Sequence, residues 1–313
     1  MAGRHRLERD HPMDMGLLVL AAVDGFSYAA LVFMVASGLS LIFGVMRILN
    51  IAHGGFYAIG AYSAVSCTLW VAARGFSPWL QFPALLLSAI IVGSLVGPLL
   101  ERFLLRKIYD KEEVLQLLVT FAIFMILEDA QRLIWGAQPY ATSDPIRILG
   151  SIEILGVPYM TYQIILLPCV AVAVLLGLRW LMSKTLLGRT ITATTEDREA
   201  AMAMGINTER VFIVTFTLGT ILAAAGGALA APTTAVQLGM GADMIILSFA
   251  VVATAGLGQI GGAAVAAIMI GMGRALAVYY APEVDVLVPY LIMVVVLLFR
   301  PQGLFGVVHA RKI

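Results

Sequence analysis

The sequence predicts an all-α integral membrane protein, a polytopic bundle of eight to nine transmembrane helices. Three observations carry this. Hydrophobic residues fill 61% of the 313 positions and charged residues only 12%, against about 45–50% and about 25% in soluble domains. Mean hydropathy is +0.95, which is more apolar surface than a soluble fold of this length can hide. Apolar runs recur near the length of a spanning helix, and none shows the two-residue alternation of a membrane β-barrel.

Along the chain, Arg4, Arg6 and Arg9 precede a short apolar run, a pattern that also suits a signal peptide. Asp24 interrupts that run and no small-x-small cleavage site follows. Residues 1–14 are therefore read as an N-terminal tail, and residues 15–313 as a single transmembrane domain. Expected spans are 25–46, 54–72, 80–100, 114–134, 161–182, 211–231, 243–256, 261–279 and 286–300. The seventh and ninth are short for a bilayer. Lys and Arg gather in 101–113, in 179–210 and at the C-terminus, whereas 135–160 holds only Arg147, and 232–242 and 280–285 hold none. The positive-inside rule then puts the basic segments and the C-terminus in the cytoplasm.

The remaining composition excludes several classes. A net charge of +1 gives no basic excess for nucleic acid. Cys67 and Cys169 lie apart in apolar runs, and His5, His11, His53 and His309 have no metal-ligand spacing. No cofactor or metal site is expected. No Ser–His–acid set or paired catalytic carboxylates emerge, so an intramembrane enzyme has no support. A G-x-x-x-x-G-K-[ST] phosphate loop is missing from the sequence, so any ATP hydrolysis must come from a separate subunit. Small residues four apart at Gly93 and Gly97, and again at Gly258 and Gly262, suit close helix packing in lipid.

The most informative stretch is the polar segment 183–210, expected to be cytoplasmic. Within it, GRTITATTEDREAAMAMGINTER (188–210) reads as a short helix over 195–204. Thr194 or Thr195 would cap it, Glu196 and Asp197 would face its positive end, and Gly205 would stop it. Such a helix would be about 15 Å long. Small side chains along its body and charges at its rim suit a helix-in-groove contact with a partner.

Glu199-Ala200-Ala201-Met202-Ala203-Met204-Gly205 also resembles the EAA-x-x-x-G loop of ABC-importer permeases. The likeness extends along the chain. GLSLIFGVMRILNIAHGGFYAIGAY (38–62), GRTITATTEDREAAMAMGINTERV (188–211), GLGQIGGAAVAAIMIG (256–271) and LLFRPQGLFG (297–306) resemble, in order, the signature blocks of the Liv-type branched-chain amino-acid permeases. The N-I-A-H-G block and the short chain resemble the LivH-side subunit more than the LivM side. Residues 1–24 and 135–165 match nothing firmly.

The resemblance implies an importer-permease fold of the ribose and vitamin-B12 type in a bacterial inner membrane. It implies partners too: a second, non-identical permease, two ATP-binding cassette subunits and an extracytoplasmic solute-binding protein. Family substrates include leucine, isoleucine and valine, other amino acids, urea and short amides, and some aromatic acids. By the same resemblance Glu196, Asp197, Glu199, Ala200, Ala201, Gly205 and Asn207 form the ATPase-coupling contact. An ion-coupled secondary transporter is the rival reading. It would place acids at the bilayer midplane, whereas the acids here sit mostly at loop ends.

Polar residues inside spans leave alternatives open. Asn50, His53 and Gly54 fit either a broken helix lining the translocation path or a cytoplasmic turn with capped helix ends. Gln259, in Gly256-Leu-Gly258-Gln259-Ile-Gly261-Gly262, fits a helix junction at a re-entrant turn. Glu128 and Asp129 lie at helical spacing from Arg132 and fit either an ion pair with it or a contact for a docked binding protein or for substrate charge. Arg274 sits deeper, suited to a partner acid or to snorkelling.

Overall fold

The computed structural model describes residues 15–306, and the expected tail 1–14 lies outside them. Each expected apolar run falls on a helix. The first four are α1 (Met15–Met46), α2 (His53–Ala73), α3 (Gln81–Phe103) and α4 (Glu113–Trp135). A short α5 (Asp144–Leu149) and a hairpin of β1 (Ser151–Ile154) and β2 (Val157–Met160) follow. Then come α6 (Leu167–Lys184), α7 (Leu186–Glu196), α8 (Arg198–Ala203), α9 (Thr208–Ala230), α10 (Met240–Ala255), α11 (Ile260–Tyr280) and α12 (Val288–Phe299). Among the described residues, six helical stretches, which include α1, α2, α3, α6, α9 and α11, are long and apolar enough to cross a membrane. The apolar α10 and α12 are shorter.

Two parts depart from expectation. Residues 151–160, which match no spanning pattern, form an antiparallel hairpin with Ser151 opposite Met160 and Ile154 opposite Val157. Leu155 and Gly156 both have positive φ, 51° and 79°, as a two-residue type I′ turn requires. Also, Arg132 forms no ion pair with Glu128 or Asp129 among the described residues.

Glycine fixes how the helices meet. No hydrophobic drive brings helices together in lipid, so close backbone approach supplies the packing energy. Gly93 and Gly97 of α3 lie against Ile221 and Thr220 of α9, and the Thr220 hydroxyl donates to the Gly93 carbonyl at 3.1 Å. The central α1 backs onto α11 at Gly25, onto α9 at Gly38 and onto the α10–α11 turn at Gly44. These contacts set polarity. The C-terminal end of α1, the start of α9 and the α10–α11 turn share one end of the bundle. The start of α1, the hairpin and the end of α11 share the other.

Candidate functional site

A buried helix junction lies inside the bundle. Leaving α1, the chain turns at Arg47 (φ 54°) and runs back along the helix it has just left. His53, first residue of α2, brings Nε2 to 2.9 Å from the Val35 carbonyl. Val35 lies about 16 Å back from the end of α1 at 1.5 Å per residue. From the other side, the Thr120 hydroxyl of α4 donates to the Leu49 carbonyl at 3.2 Å. Six residues further on, Gly55 packs on Leu127, about 21 Å along α4 from its start. Segment 47–52 therefore climbs into the bundle, and α2 begins at depth. The junction is thus buried, and neither Asn50 nor His53 caps a helix end.

A second helix begins at the same level. α10 starts at Met240, after the non-helical stretch that follows α9 and pairs Val236 with Tyr140 in a two-way backbone bridge of 2.8 and 2.9 Å. A Cβ on Gly54 would strike the Gly241 carbonyl, and one on Gly241 would meet the Gly54 carbonyl. The two helix starts thus cross backbone to backbone, and both crossing residues must be glycine.

Buried polar groups cluster beside this crossing. Asn50 is fully buried with neither amide atom hydrogen-bonded, and His53 is fully buried with Nδ1 unpaired. Such groups typically cost about 1–3 kcal/mol each, and within a membrane bundle they default to function. Gln259 stands apart. It occupies the half-buried N-cap position of α11 and makes no capping bond, in the turn whose Gly258 packs on Gly44 near the end of α1. That turn lies at the end of the bundle rather than re-entering it.

The second element of interest projects from the same end as the α10–α11 turn. Segment 186–203 is two helices broken at Asp197, not one helix over 195–204. Thr194 and Thr195 do not cap; they sit inside α7 with their hydroxyls on the Thr190 and Ile191 carbonyls. Glu196 closes α7 and so lies at a negative rather than a positive helix end. Asp197 is the cap of α8, its Oδ1 accepting from the Ala200 amide at 3.0 Å. At six residues α8 is about 9 Å long, shorter than expected.

Local chemistry fixes α8 at both ends. Gly205 has φ +82°; its amide donates to Met202 and that of Ile206 to Ala201, each at 3.0 Å, a Schellman stop. Asn207 then caps α9, accepting from the Arg210 amide at 3.0 Å. Ala201 is the buried anchor, while Glu199, Ala200, Ala203, Met202 (48% exposed) and Met204 (84% exposed) face outward.

Side chains invisible to the sequence reading tie this knuckle down. Arg198 lies over the Phe212 ring at 5.2 Å and reaches Asp110 at 3.5 Å. Arg106 pairs with Glu209. Tyr109 stacks edge-on against Phe212 and donates to Glu101 at 2.6 Å. Burial, reinforced by that carboxylate, pushes the Tyr109 phenol well above its ordinary value, so it remains a donor. The one sequence signal was Glu101, a carboxylate that borders the apolar run 80–100 and falls in the last turn of α3. Among the described residues no group of His, Cys, Asp and Glu could hold a metal.

Comparison with known proteins identifies the family. A family model described as branched-chain amino acid transport system / permease component matches residues 21–297. LivH of Salmonella typhimurium, a high-affinity branched-chain amino acid transport system permease protein, is 28% identical over 92% of this chain and 94% of its own. BraD of Pseudomonas aeruginosa, with the same description, is 28% identical over 93% and 96%. A LivH from Methanocaldococcus jannaschii, a probable branched-chain permease, is 28% identical over 90% of each chain. Among solved structures, PsaBC from Streptococcus pneumoniae in complex with Fab aligns at a TM-score of 0.48 and 15% identity, over 89% of this chain and 91% of that one. With the family model covering most of its length, this chain belongs to the permease components of branched-chain amino acid transport systems.

Proposed function

We propose that the chain is the membrane-spanning permease subunit of an ATP-driven importer that takes up branched-chain amino acids. Residues 15–313 form one permease domain, and residues 183–210 form its contact with the ATPase. The partners are a second, non-identical permease, two ATP-binding cassette subunits and an extracytoplasmic solute-binding protein. The complex sits in a bacterial inner membrane, with the α8 end and the C-terminus in the cytoplasm.

The observation that carries this reading is α8: a capped knuckle at the bundle end, with one alanine buried and an outward face of alanine and methionine beside Glu199. That face suits a groove that grips by shape, and methionine adapts to such a groove. Movement of the gripped knuckle passes to α9 through Gly205–Asn207, and to the α3–α4 link through Arg198, Asp110, Arg106 and Glu209. α9 meets α2 where Gly227 packs on Tyr57 and Gly60 on Ala224. Sliding α9 therefore shifts α2 against α10 and opens the crossing at Gly54 and Gly241. Asn50 and His53 then gain solute or water as partners.

Reconstitution of the purified assembly in vesicles tests the function. Leucine uptake should require both ATP and the binding protein, and the ATPase subunits should co-purify with this chain. Accumulation driven by an ion gradient without nucleotide would overturn the proposal.

A further inference from the structure

A cavity of about 320 Å3 lies in the hairpin half of the bundle, between α1, α2, α6, α10, α11 and the end of α9 with Thr233 and Thr234 after it. Its walls combine features that neither packing nor coupling explains. Leu31, Leu167 and Val278 make it largely apolar, yet Asp24 of α1 and Arg274 of α11 both line it. Gly25 and Gly271 bring these two helices into backbone contact at that level. Charges inside spanning helices are expensive and default to function.

Each charge has a partner, and the tyrosines among them line the cavity too. The Tyr279 hydroxyl donates to Asp24 Oδ2 at 2.6 Å. The Arg274 guanidinium lies 4.4 Å over the Tyr28 ring, with Nη2 3.5 Å from Asp285. A carboxylate has about four acceptor sites and a guanidinium five donors, so both retain capacity for a ligand. One anion and one cation on an apolar wall complement a zwitterion that carries an apolar side chain. The volume falls at the small end of the roughly 300–1,000 Å3 typical of ligand pockets, enough for one amino acid.

Position adds a second argument. Tyr57 and Met244 also line the cavity, each about one helical turn beyond the residues that cross, Gly54 and Gly241. A solute here rests on the closed junction.

We propose that this cavity holds a single zwitterionic amino acid with an apolar side chain, Arg274 taking its carboxylate and Asp24 its ammonium, before the α2–α10 junction opens. The proposal rests on the amino-acid importer reading above.

The test uses the assembled importer in nanodiscs without its binding protein, probed with tritiated L-leucine. Saturable binding is expected, competed by L-valine. Isocaproate lacks the ammonium and isoamylamine lacks the carboxylate, so each should compete about tenfold or more less well. Asp24→Asn and Arg274→Gln should each weaken leucine binding by a similar factor. Ser27→Leu keeps both charges and loses only a bond within α1, yet fills the space, so it should do the same even if a charge variant fails to assemble. Undiminished binding in an assembled Ser27→Leu complex, or equal competition by all three ligands, overturns the site. Wild-type complexes that import leucine with the binding protein but bind none alone overturn the site and leave the transport reading standing. Complexes that import no leucine under any condition overturn both.

Discussion

The α2–α10 crossing and the α8 knuckle are built by opposite means. At the crossing, side chains are removed: Gly54 and Gly241 let two backbones touch, while Asn50 and His53 lie buried with polar atoms unpaired. At the knuckle, side chains do the building: Asp197 and Asn207 cap, Gly205 stops, and the exposed face sets alanine and methionine beside Glu199. The first arrangement depends on packing across four helices; the second is specified within a dozen residues of one another. The difference follows from surroundings. In lipid, water cannot satisfy loose backbone groups and helices must fit one another closely. At the aqueous end, local hydrogen bonds suffice to hold a shape. A junction that closes by contact, with polar groups left unmet, is suited to open; a knuckle capped by its own side chains and tethered to α9 and the α3–α4 link is suited to be pushed.

The largest expected effect belongs to the crossing. Gly54→Leu forces a side chain into the Gly241 carbonyl and Ile245. Backbone offers no room to yield, so the cost should exceed the usual roughly 1–3 kcal/mol of core overpacking. Little or no assembled protein should elute on size-exclusion chromatography. Gly261→Ala, at a helical glycine with nothing within 4 Å of the added atom, should leave assembly unchanged. Equal yields of the two variants would break the distinction drawn here.

Gly205→Asp comes next and should separate coupling from folding. At φ +82° a non-glycine residue costs about 1–2 kcal/mol, paid locally at an exposed turn. Expression and assembly should therefore persist. Substrate-stimulated ATPase activity should fall about tenfold or more relative to wild type if the knuckle transmits the stroke. Normal stimulation in assembled Gly205→Asp complexes would remove α8 from the transmission path.

Much of this architecture was legible in the sequence. The spans are marked by hydrophobicity, and the stop at Gly205 by a glycine after an alanine-rich run. The cap was misplaced because Thr194, Thr195 and Asp197 are all competent caps; only the break in the backbone at Asp197 selects among them. The hairpin was hidden because Leu155 stands where a turn of that type favours asparagine or glycine. Asp24 read as an interruption of a hydrophobic run, since the cation that lines the same cavity, Arg274, is far off in sequence. The depth of Asn50 was equally hidden: an N-I-A-H-G stretch looks the same whether the turn lies at the surface or climbs into the bundle. Neighbouring helices, not local propensity, decide these cases.

Asn50→Leu sharpens the comparison with a smaller effect of mixed sign. The native amide is buried and unpaired, so an apolar residue of similar volume should raise thermal stability by about 1 kcal/mol. If the amide meets solute or water when the junction opens, leucine uptake should fall at the same time. A rise in melting temperature with unchanged uptake would make the residue a burden without a role at the gate.

The smallest effect tests how local the knuckle's rigidity is. Arg198 meets Asp110 at 3.5 Å, with side-chain exposures of 42% and 88%. An ion pair so exposed contributes about 0–1 kcal/mol and weakens with salt. Its stacking over Phe212 adds a comparable amount. Arg198→Ala should thus lower the melting temperature only slightly and leave α8 capped by Asp197, because the cap uses the Asp197 side chain and the Ala200 amide alone. Coupling should drop by about twofold or less, since Glu209 and Arg106 still tie α9 to the α3–α4 link. A loss as large as that of Gly205→Asp would mean that the tether to the α3–α4 link, rather than the capped helix, carries the stroke.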